Sequence, residues 1–247
     1  MMVNVKYFSM CQDENLLKFT IQHYILKYNF NLFKTYDTLE KIEEMFKTIE
    51  ELESENPDLY IATYAGDVKQ LFTELPHDEI IKSIEWAIHM LRKTKIGRCK
   101  NSVTLNLTDK SGSRIGPNYD DVNTIKIFFE EILSIAIFDM NNAFFNINEE
   151  ILRQIFGIPQ GSPLSPALSQ CVLMYYEGEY LSSIHDHKYF IGIRYIDDVR
   201  LIVLALSNSN ENISIAQQQI QAFIDSLSKS LILEPEPNED NSFRFLE

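Results

Sequence analysis

Two adjacent aspartates, Asp197 and Asp198, lie between two apolar runs that each have the length of a β-strand. Residues 189–196 alternate between two faces and residues 201–206 follow the aspartates, so the segment predicts a hairpin with both carboxylates at its tip. Adjacent carboxylates repel each other unless a cation lies between them. Mg²⁺ prefers hard oxygen ligands, commonly carboxylates and substrate phosphates. The pair is therefore either half of a metal site for phosphate chemistry or an ordinary polar turn, which is common in hairpins.

A third carboxylate and a loop could supply the other half of such a site. Asp67 follows residues 59–65, an apolar run that predicts a buried strand with the carboxylate at its C-terminal end. Residues 157–166 contain three prolines and two glycines, so they predict a loop that opens a helix running to about Tyr180. Backbone N–H groups of such a loop can approach a nucleotide closely. If the strands that carry the aspartates are neighbours, two divalent ions held there could activate a hydroxyl group and neutralise a leaving pyrophosphate.

Apolar periodicity predicts the elements that must position these residues. The predicted helices begin at Asp37, Pro76, Asp121, Pro166 and Asn212, and further strands are predicted as a hairpin over residues 142–155, with its turn near Asn148, and a short strand over residues 231–233. The order of these elements predicts an α+β fold in which an antiparallel sheet has helices on one face.

The chain is acidic, with a net charge of -14 over 247 residues. Such a charge argues against nucleic-acid binding, because phosphate contacts need Lys and Arg. Residues 92–114 are the exception, with seven basic residues against one acidic residue. Five of the basic residues are candidates for contact with a primer or template strand: Arg92, Lys93, Lys95, Arg98 and Lys100. A charge run is more often a solvated face than a binding site, so both interpretations stay open.

The sequence has no sign of a membrane-spanning or secreted protein. No apolar run is long enough to cross a bilayer, and the N-terminus lacks the apolar core of a signal peptide. The three cysteines lie far apart and suggest neither a disulfide framework nor a zinc site. We therefore expect an intracellular protein with no membrane partner.

Three segments together resemble the palm motifs of reverse transcriptases. Residues 67–77 resemble the first motif, residues 157–166 the second, and residues 195–198, Tyr-Ile-Asp-Asp, the third. The sequence is most similar to the Penelope-like element reverse transcriptases, which are relatives of telomerase. That family also has an aromatic-rich hairpin and an Arg-Gln pair, here Arg153 and Gln154, just before the second motif.

The resemblance implies an RNA-directed DNA polymerase of a retroelement. Such an enzyme would transfer deoxynucleotides from their triphosphates to the 3′-hydroxyl of a DNA primer on an RNA template. Asp67, Asp197 and Asp198 would be the catalytic residues, and together with the backbone carbonyl of Val68 they would hold two Mg²⁺ or Mn²⁺ ions. The protein would be nuclear if the retroelement is eukaryotic, and the resemblance implies no particular protein partner.

The same resemblance implies contacts with the nucleotide and the primer. Phe72 would pack under the sugar and exclude a 2′-hydroxyl, although plain core packing would also explain this residue. Gln160, Gly161 and Ser162 would line the nucleotide pocket, and Tyr195 would lie near the primer end.

A competing residue for the first motif is Asp139. It lies too few residues before Gly157 for the helix that should intervene, so Asp67 is the preferred candidate.

The sequence also departs from the family pattern. Residues 1–60 carry 11 acidic against 6 basic residues and lack the basic fingers segment, and the lysine expected after the strand at residues 231–233 is not evident. We therefore expect a right-hand polymerase palm with incomplete fingers and no thumb. Residues 1–58 would form an N-terminal helical segment, as reduced fingers, and residues 59–247 a palm with a fingers-like insertion over residues 92–156.

Two functions from different classes follow from these observations. The carboxylates, the glycine–proline loop (residues 157–166) and Phe72 favour a reverse transcriptase that retains its catalytic activity. The acidic charge and the missing fingers and thumb favour a palm remnant that no longer polymerises and serves as a scaffold or binding module. An RNA-dependent RNA polymerase fits less well, because an aromatic residue at position 72 points to deoxynucleotides.

Overall fold

A computed structural model describes residues 30, 35–93, 101–106, 114–115, 124–185, 189–207 and 209–236. The helices are α1 (Thr35–Glu55), α2 (His77–Lys93), α3 (Phe129–Asn141), α4 (Ser165–Ser183) and α5 (Asn210–Ser226). The strands are β1 (Tyr60–Lys69), β2 (Ser102–Asn106), β3 (Arg114–Ile115), β4 (Thr124–Phe128), β5 (Phe144–Ile147), β6 (Glu150–Arg153), β7 (Phe190–Tyr195), β8 (Asp198–Ala205) and β9 (Ile232–Pro235). Among the described helices, none is long and apolar enough to cross a membrane.

The described residues divide into two compact units. The first unit takes the described residues of Leu71–Tyr175, and the second takes those of Tyr28–Gln70 and Tyr176–Glu247. The predicted division into residues 1–58 and 59–247 remains a prediction.

The second unit is built on a four-stranded antiparallel sheet in the order β7-β8-β1-β9. The central pair, β1 and β8, is in register from Tyr60 opposite Ala205 to Asp67 opposite Asp198. The two apolar runs around the aspartates form β7 and β8, so the predicted hairpin is confirmed. The α+β class with an antiparallel sheet is confirmed as well.

Helices cover both faces of this sheet, so the predicted arrangement with helices on one face only is wrong. One face packs against α1 through a buried apolar cluster of Met45, Ile49, Leu52, Ile193, Ile202 and Leu204. Because side chains alternate along a strand, Phe190 lies on the other face. There its ring contacts the rings of Tyr180 and of Phe223 in α5, with centroids 5.0 and 6.0 Å away. Burial of both faces explains why residues 201–204 of β8 form an unbroken apolar run.

The first unit contains two small antiparallel sheets and two helices in contact with each other, α2 and α3. The spacing of Ile80, Ile84, Ile88 and Leu91 predicts one buried helix face, and all four are buried in α2. The predicted hairpin over residues 142–155 is confirmed as β5 and β6.

One predicted helix begins in the wrong place. Residues 124–128 form strand β4, and α3 begins only at Phe129, whereas the sequence predicts a helix from Asp121. The reason is long-range pairing: β4 is in register with β2 at five positions, from Ser102 opposite Phe128 to Asn106 opposite Thr124. The β-branched residues of this segment suit a strand, and the pairing outweighs the local helical spacing.

Candidate active site

The predicted catalytic aspartates lie at one end of the sheet in the second unit. Asp67 of β1 and Asp198 of β8 are direct cross-strand partners, and residues in that relation share a face of the sheet. Asp197 precedes Asp198 in the turn, and its backbone carbonyl accepts a hydrogen bond from the N–H of Val68 at 2.8 Å. The fold therefore brings the four predicted residues, Asp67, Val68, Asp197 and Asp198, to the same end of the sheet.

Two details differ from the sequence prediction. Strand β1 continues past Asp67 to Lys69, because β9 pairs with it and sets Asp67 opposite Glu234. Asp198 is the first residue of β8, so only Asp197 lies in the two-residue turn, next to Ile196. The positions of Asp67 and Asp198 are consequently fixed by strand register and not by a loop.

The turn has a strained backbone and is held in place by a buried ion pair. Ile196 has a φ of 57°, a left-handed conformation that is unfavourable for a β-branched residue. Its carbonyl accepts a hydrogen bond at 2.8 Å from the guanidinium of Arg194. Arg194 is fully buried and forms an ion pair with Glu177 of α4, and Glu177 also accepts a hydrogen bond from the N–H of Phe30 at 3.0 Å. This buried pair holds the turn that carries Asp197.

Basic side chains balance the charge of two of the aspartates. Lys69 forms an ion pair with Asp67, and Arg200 forms ion pairs with Asp198 and, at 2.8 Å, with Glu236. The hydrogen bond to Asp67 raises the pKa of Lys69. Burial raises the pKa of Asp198 to about 6, with further contributions from the nearby carboxylates of Glu236 and the other two aspartates, while Arg200 opposes the shift.

The donor set suits a divalent cation by its chemistry. Carboxylate oxygens are ligands that Mg²⁺ and Mn²⁺ prefer. A cation would also relieve the repulsion from neighbouring carboxylates, which adds to the effect of burial on the pKa of Asp198. Within the described part of the chain, however, no three or more His, Cys, Asp or Glu side chains converge closely enough to hold a metal ion. Asp67, Asp197 and Asp198 therefore fit a divalent cation by ligand type alone, and Lys69 and Arg200 already pair with two of the three carboxylates.

The first unit contains a pocket of about 630 Å³ that brings together three of the predicted nucleotide-binding residues, Phe72, Gln160 and Ser162. Its other lining residues are mostly aromatic or amide side chains: Thr73, Asp139, Asn142, Ala143, Phe144, Phe145, Gln154, Phe156 and Pro159. Gly161, the fourth predicted residue, lies between Gln160 and Ser162 with a φ of 87° and has open space where a Cβ would be.

The glycine–proline loop is fixed to the segment that follows β1. The N–H groups of Gly157 and Ile158 donate to the carbonyls of Leu75 and Phe72, at 2.7 and 3.0 Å. Gly157 has a φ of 76°, and a Cβ there would lie 2.3 Å from the Phe72 carbonyl oxygen. Only glycine fits this position.

Asp139, the competing first-motif candidate, lies in α3 and not at the end of a strand. Its carboxylate accepts a hydrogen bond at 2.6 Å from the hydroxyl of Ser162, whose oxygen accepts one at 3.1 Å from the N–H of Leu164. Burial raises the pKa of Asp139, and the Ser162 hydrogen bond opposes that shift. Asp139 therefore fixes the glycine–proline loop, a role that the sequence did not suggest.

The predicted primer and template contacts are only partly described. Tyr195 is the cross-strand partner of Asp198, which sets it beside the aspartates. Arg92 forms an ion pair with Glu130 and lies 5.9 Å from the ring centroid of Phe129. Lys93 is exposed at the end of α2. The remaining three candidates, Lys95, Arg98 and Lys100, lie outside the described residues.

Sequence reasoning missed the charged residues around the aspartates: Lys69, Glu177, Arg194, Arg200 and Glu236. The sequence gives a signal for two of them, Arg194 and Arg200, because each is an arginine within an apolar strand that flanks the aspartate pair. A buried arginine in such a strand requires a carboxylate partner, but the sequence does not say which.

No protein-family model matches the sequence, and no curated protein matches it. Solved telomerase structures do share its fold. Apo telomerase from Candida tropicalis is 13% identical with a TM-score of 0.56, over 88% of this chain and 33% of that chain. The same telomerase truncated from its C-terminal domain is 11% identical with a TM-score of 0.60, over 94% and 41%. Telomerase from Candida albicans in complex with the TWJ fragment of telomeric RNA is 14% identical with a TM-score of 0.59, over 96% and 36%.

The chain therefore has a reverse-transcriptase type of α+β fold. More particularly, the fold is similar to that of telomerase, and the chain spans between 33% and 41% of the length of these three telomerase chains. At 11 to 14% identity the likeness concerns the fold alone. The narrower resemblance to Penelope-like elements remains a prediction.

Proposed function

We propose that this chain carries out RNA-directed DNA polymerisation, adding deoxynucleotides to a DNA primer on an RNA template. The observation that carries the proposal is the register of β1 and β8, which makes Asp67 and Asp198 cross-strand partners beside the Asp197 turn. The fold shared with telomerase supports it. One of the similar telomerases is bound to a fragment of telomeric RNA, which favours RNA as a binding partner of this chain.

In this proposal Asp67, Asp197, Asp198 and the carbonyl of Val68 would bind two Mg²⁺ or Mn²⁺ ions. Bound ions would lower the pKa of the primer hydroxyl and neutralise charge on the leaving pyrophosphate. The chain's own task is positioning. Arg194 holds the turn that carries Asp197, through its hydrogen bond to the residue before it.

The pocket of the first unit would receive the incoming nucleotide. Phe72 would pack under the sugar, and Gln160, Gly161 and Ser162 would border the base and phosphates. Asp139 would keep Ser162 in place through its hydrogen bond. Tyr195 would lie near the primer end, and the basic residues Arg92, Lys93, Lys95, Arg98 and Lys100 would contact the nucleic-acid strands.

The decisive experiment is primer extension on an RNA template with deoxynucleotides and Mg²⁺ or Mn²⁺. We expect incorporation that follows the template and that the double variant Asp197→Ala, Asp198→Ala loses. Tyr189→Phe, a change at the other end of the hairpin, serves as the control. Incorporation by the purified double variant at the level of the wild type would refute the assignment of Asp197 and Asp198 as catalytic residues.

The sugar-gate role of Phe72 has its own test. Phe72→Ala should newly admit ribonucleotides, whereas Phe72→Tyr keeps the ring and should not. The measurement is the ratio of ribonucleotide to deoxynucleotide incorporation. An unchanged ratio in Phe72→Ala would remove the gate assignment and leave Phe72 as a packing residue.

A second candidate function is a palm-derived binding module that does not polymerise. The ion pairs of Lys69 with Asp67 and of Arg200 with Asp198 favour it, because they offset the charge of two of the three carboxylates without metal. The hairpin of β5 and β6 also favours it, since Phe144, Ile147 and Ile151 are all exposed and exposed apolar patches often mark contacts. If the wild type and the double variant are equally inactive in primer extension, this second function takes precedence.

A further inference from the structure

Arg200 occupies an unusual position for a strand residue. Its side chain is only 4% exposed, on the same face of β8 as Asp198, two residues away. The guanidinium bridges two carboxylates, those of Asp198 and Glu236. A further hydrogen bond, to the carbonyl of Val199 at 3.1 Å, fixes its orientation. One of the predicted metal ligands therefore already has a buried cation in direct contact.

Lys69 makes a formally similar contact with Asp67, but its environment differs. The side chain of Lys69 is 46% exposed, so water and salt screen its pairing and the ammonium can leave the carboxylate at little cost. Arg200 is shielded from water, and a buried pair is screened far less. Of the two cations, Arg200 is the one that can compete with a divalent ion.

We propose that Arg200 is a built-in counter-ion that occupies Asp198 in the absence of metal and sets how tightly the site binds a divalent cation. This inference rests on the metal site of the proposed function. Metal binding would require the guanidinium to leave Asp198 while it keeps its second partner, Glu236. The main chain of Glu236 is held beside β1, because its N–H donates to the carbonyl of Ala65 at 3.0 Å. The two carboxylates thus give Arg200 two positions, one of which frees the metal ligand.

This arrangement predicts opposite effects for two substitutions. Arg200→Gln removes the competing charge and should bind the ion more tightly. Glu236→Gln removes the alternative partner, so Arg200 should stay on Asp198 and metal binding should weaken. Glu236 is more exposed than Arg200, so the second substitution tests the idea without changing a buried side chain.

The test is calorimetric titration of the full chain with MnCl₂ alone, in near-physiological salt, with no nucleotide or primer. We expect Arg200→Gln to lower the Kd about ten-fold or more, the size expected for losing one charge at contact distance in a partly shielded site. Glu236→Gln should raise the Kd several-fold. Lys69→Gln is the matched control and should change it by less than about two-fold. Circular dichroism and thermal melting confirm that each variant is folded.

Three results would overturn the inference. The first is an Arg200→Gln variant, folded, whose Kd equals that of the wild type. The second is an equal gain in Lys69→Gln, because the effect would then be one of net charge alone. The third is an absence of Mn²⁺ binding in the wild type and in every folded variant. If Arg200→Gln tightens Mn²⁺ binding and yet neither the wild type nor any variant extends a primer, only the polymerase function fails. If the wild type extends a primer and the Kd of Arg200→Gln for Mn²⁺ equals that of the wild type, only the inference about Arg200 fails.

Discussion

Replacing Glu177 by leucine should lower the free energy of unfolding by about 3–5 kcal/mol, the usual cost of removing one partner of a buried ion pair. Arg194 and Glu177 are 0% and 2% exposed. The substitution removes the carboxylate that Arg194 contacts, in a site where both side chains are buried. It also removes the acceptor of the Phe30 N–H, and an orphaned buried donor alone costs about 1–3 kcal/mol.

The assay is equilibrium urea unfolding of four proteins: the wild type, Glu177→Leu, Arg194→Met and the double variant. If the two side chains are paired as described, the double variant should be far less destabilised than the sum of the single variants, with a coupling of about 2 kcal/mol or more. Both long apolar replacements fill similar space, so cavity effects are kept small.

A second measurement links this pair to the turn. Arg194→Met removes the hydrogen bond to the Ile196 carbonyl, so the N–H of Val68, which bonds to the Asp197 carbonyl, should exchange with solvent faster than global destabilisation alone predicts. Single variants that each lose less than about 1 kcal/mol, or losses that simply add, would refute the buried pair as the anchor of the turn.

Three further predictions concern backbone strain and the buried thiol. Gly157→Ala should destabilise the fold by several kcal/mol, because a Cβ would lie 2.3 Å from a backbone atom. Gly161→Ala has a similar φ but open space around the Cβ position, so it should cost only about 1–2 kcal/mol. Thermal unfolding of the two variants makes the comparison, and equal losses of stability would contradict the clash at Gly157. Ile196→Gly should stabilise the fold by up to about 1 kcal/mol by relieving a positive φ, and a loss of stability in urea would contradict that. Burial raises the pKa of the Cys171 thiol to about 12, so at pH 8 it should resist alkylation until denaturant is added; peptide mass spectrometry reads the result, and labelling of the native protein would show that the thiol is accessible.

The sequence predicts a helix or strand well where the spacing of its apolar residues fits only one of the two periods. The spacing of Ile80, Ile84, Ile88 and Leu91 fits a helix, whereas the three-residue step from Ile88 to Leu91 breaks the alternation of a strand. Helix α2 buries all four. The hairpin of β5 and β6 likewise follows from two short runs and a polar turn, and its turn residues Asn148 and Glu149 both have the positive φ of a two-residue hairpin loop.

The residues before α3 show where this information ends. Ile125, Phe129 and Ile132 satisfy a helical period, but Ile125 and Ile127 also satisfy the alternation of a strand. The choice is made by pairing with β2, whose residues are about 20 positions earlier in the chain. A partner at that distance leaves no mark on the local pattern, so the start of α3 could not be predicted from it.

The candidate site shows the same division. The motifs suggested which aspartates should meet, and the register of β1 and β8 makes Asp67 and Asp198 partners. The ion pair between Arg200 and Glu236 and the hydrogen bond between Asp139 and Ser162 could not be predicted, because each depends on which side chains two separate segments turn toward each other. A sequence motif indicates the candidate site residues, whereas the partner that Arg200 finds in Glu236 becomes visible only in the folded arrangement.

The register of β1 has a consequence for changes in chain length. Side chains alternate along a strand, so one residue inserted between Tyr60 and Asp67 would turn Asp67 away from the face that it shares with Asp198. It would then point to the side of the sheet that α5 covers. Substitutions along this strand alter packing by degrees, but a single insertion or deletion separates the two carboxylates completely. Scanning β1 with one-residue insertions would therefore abolish the site at every position before Asp67, while paired two-residue insertions would restore the facing.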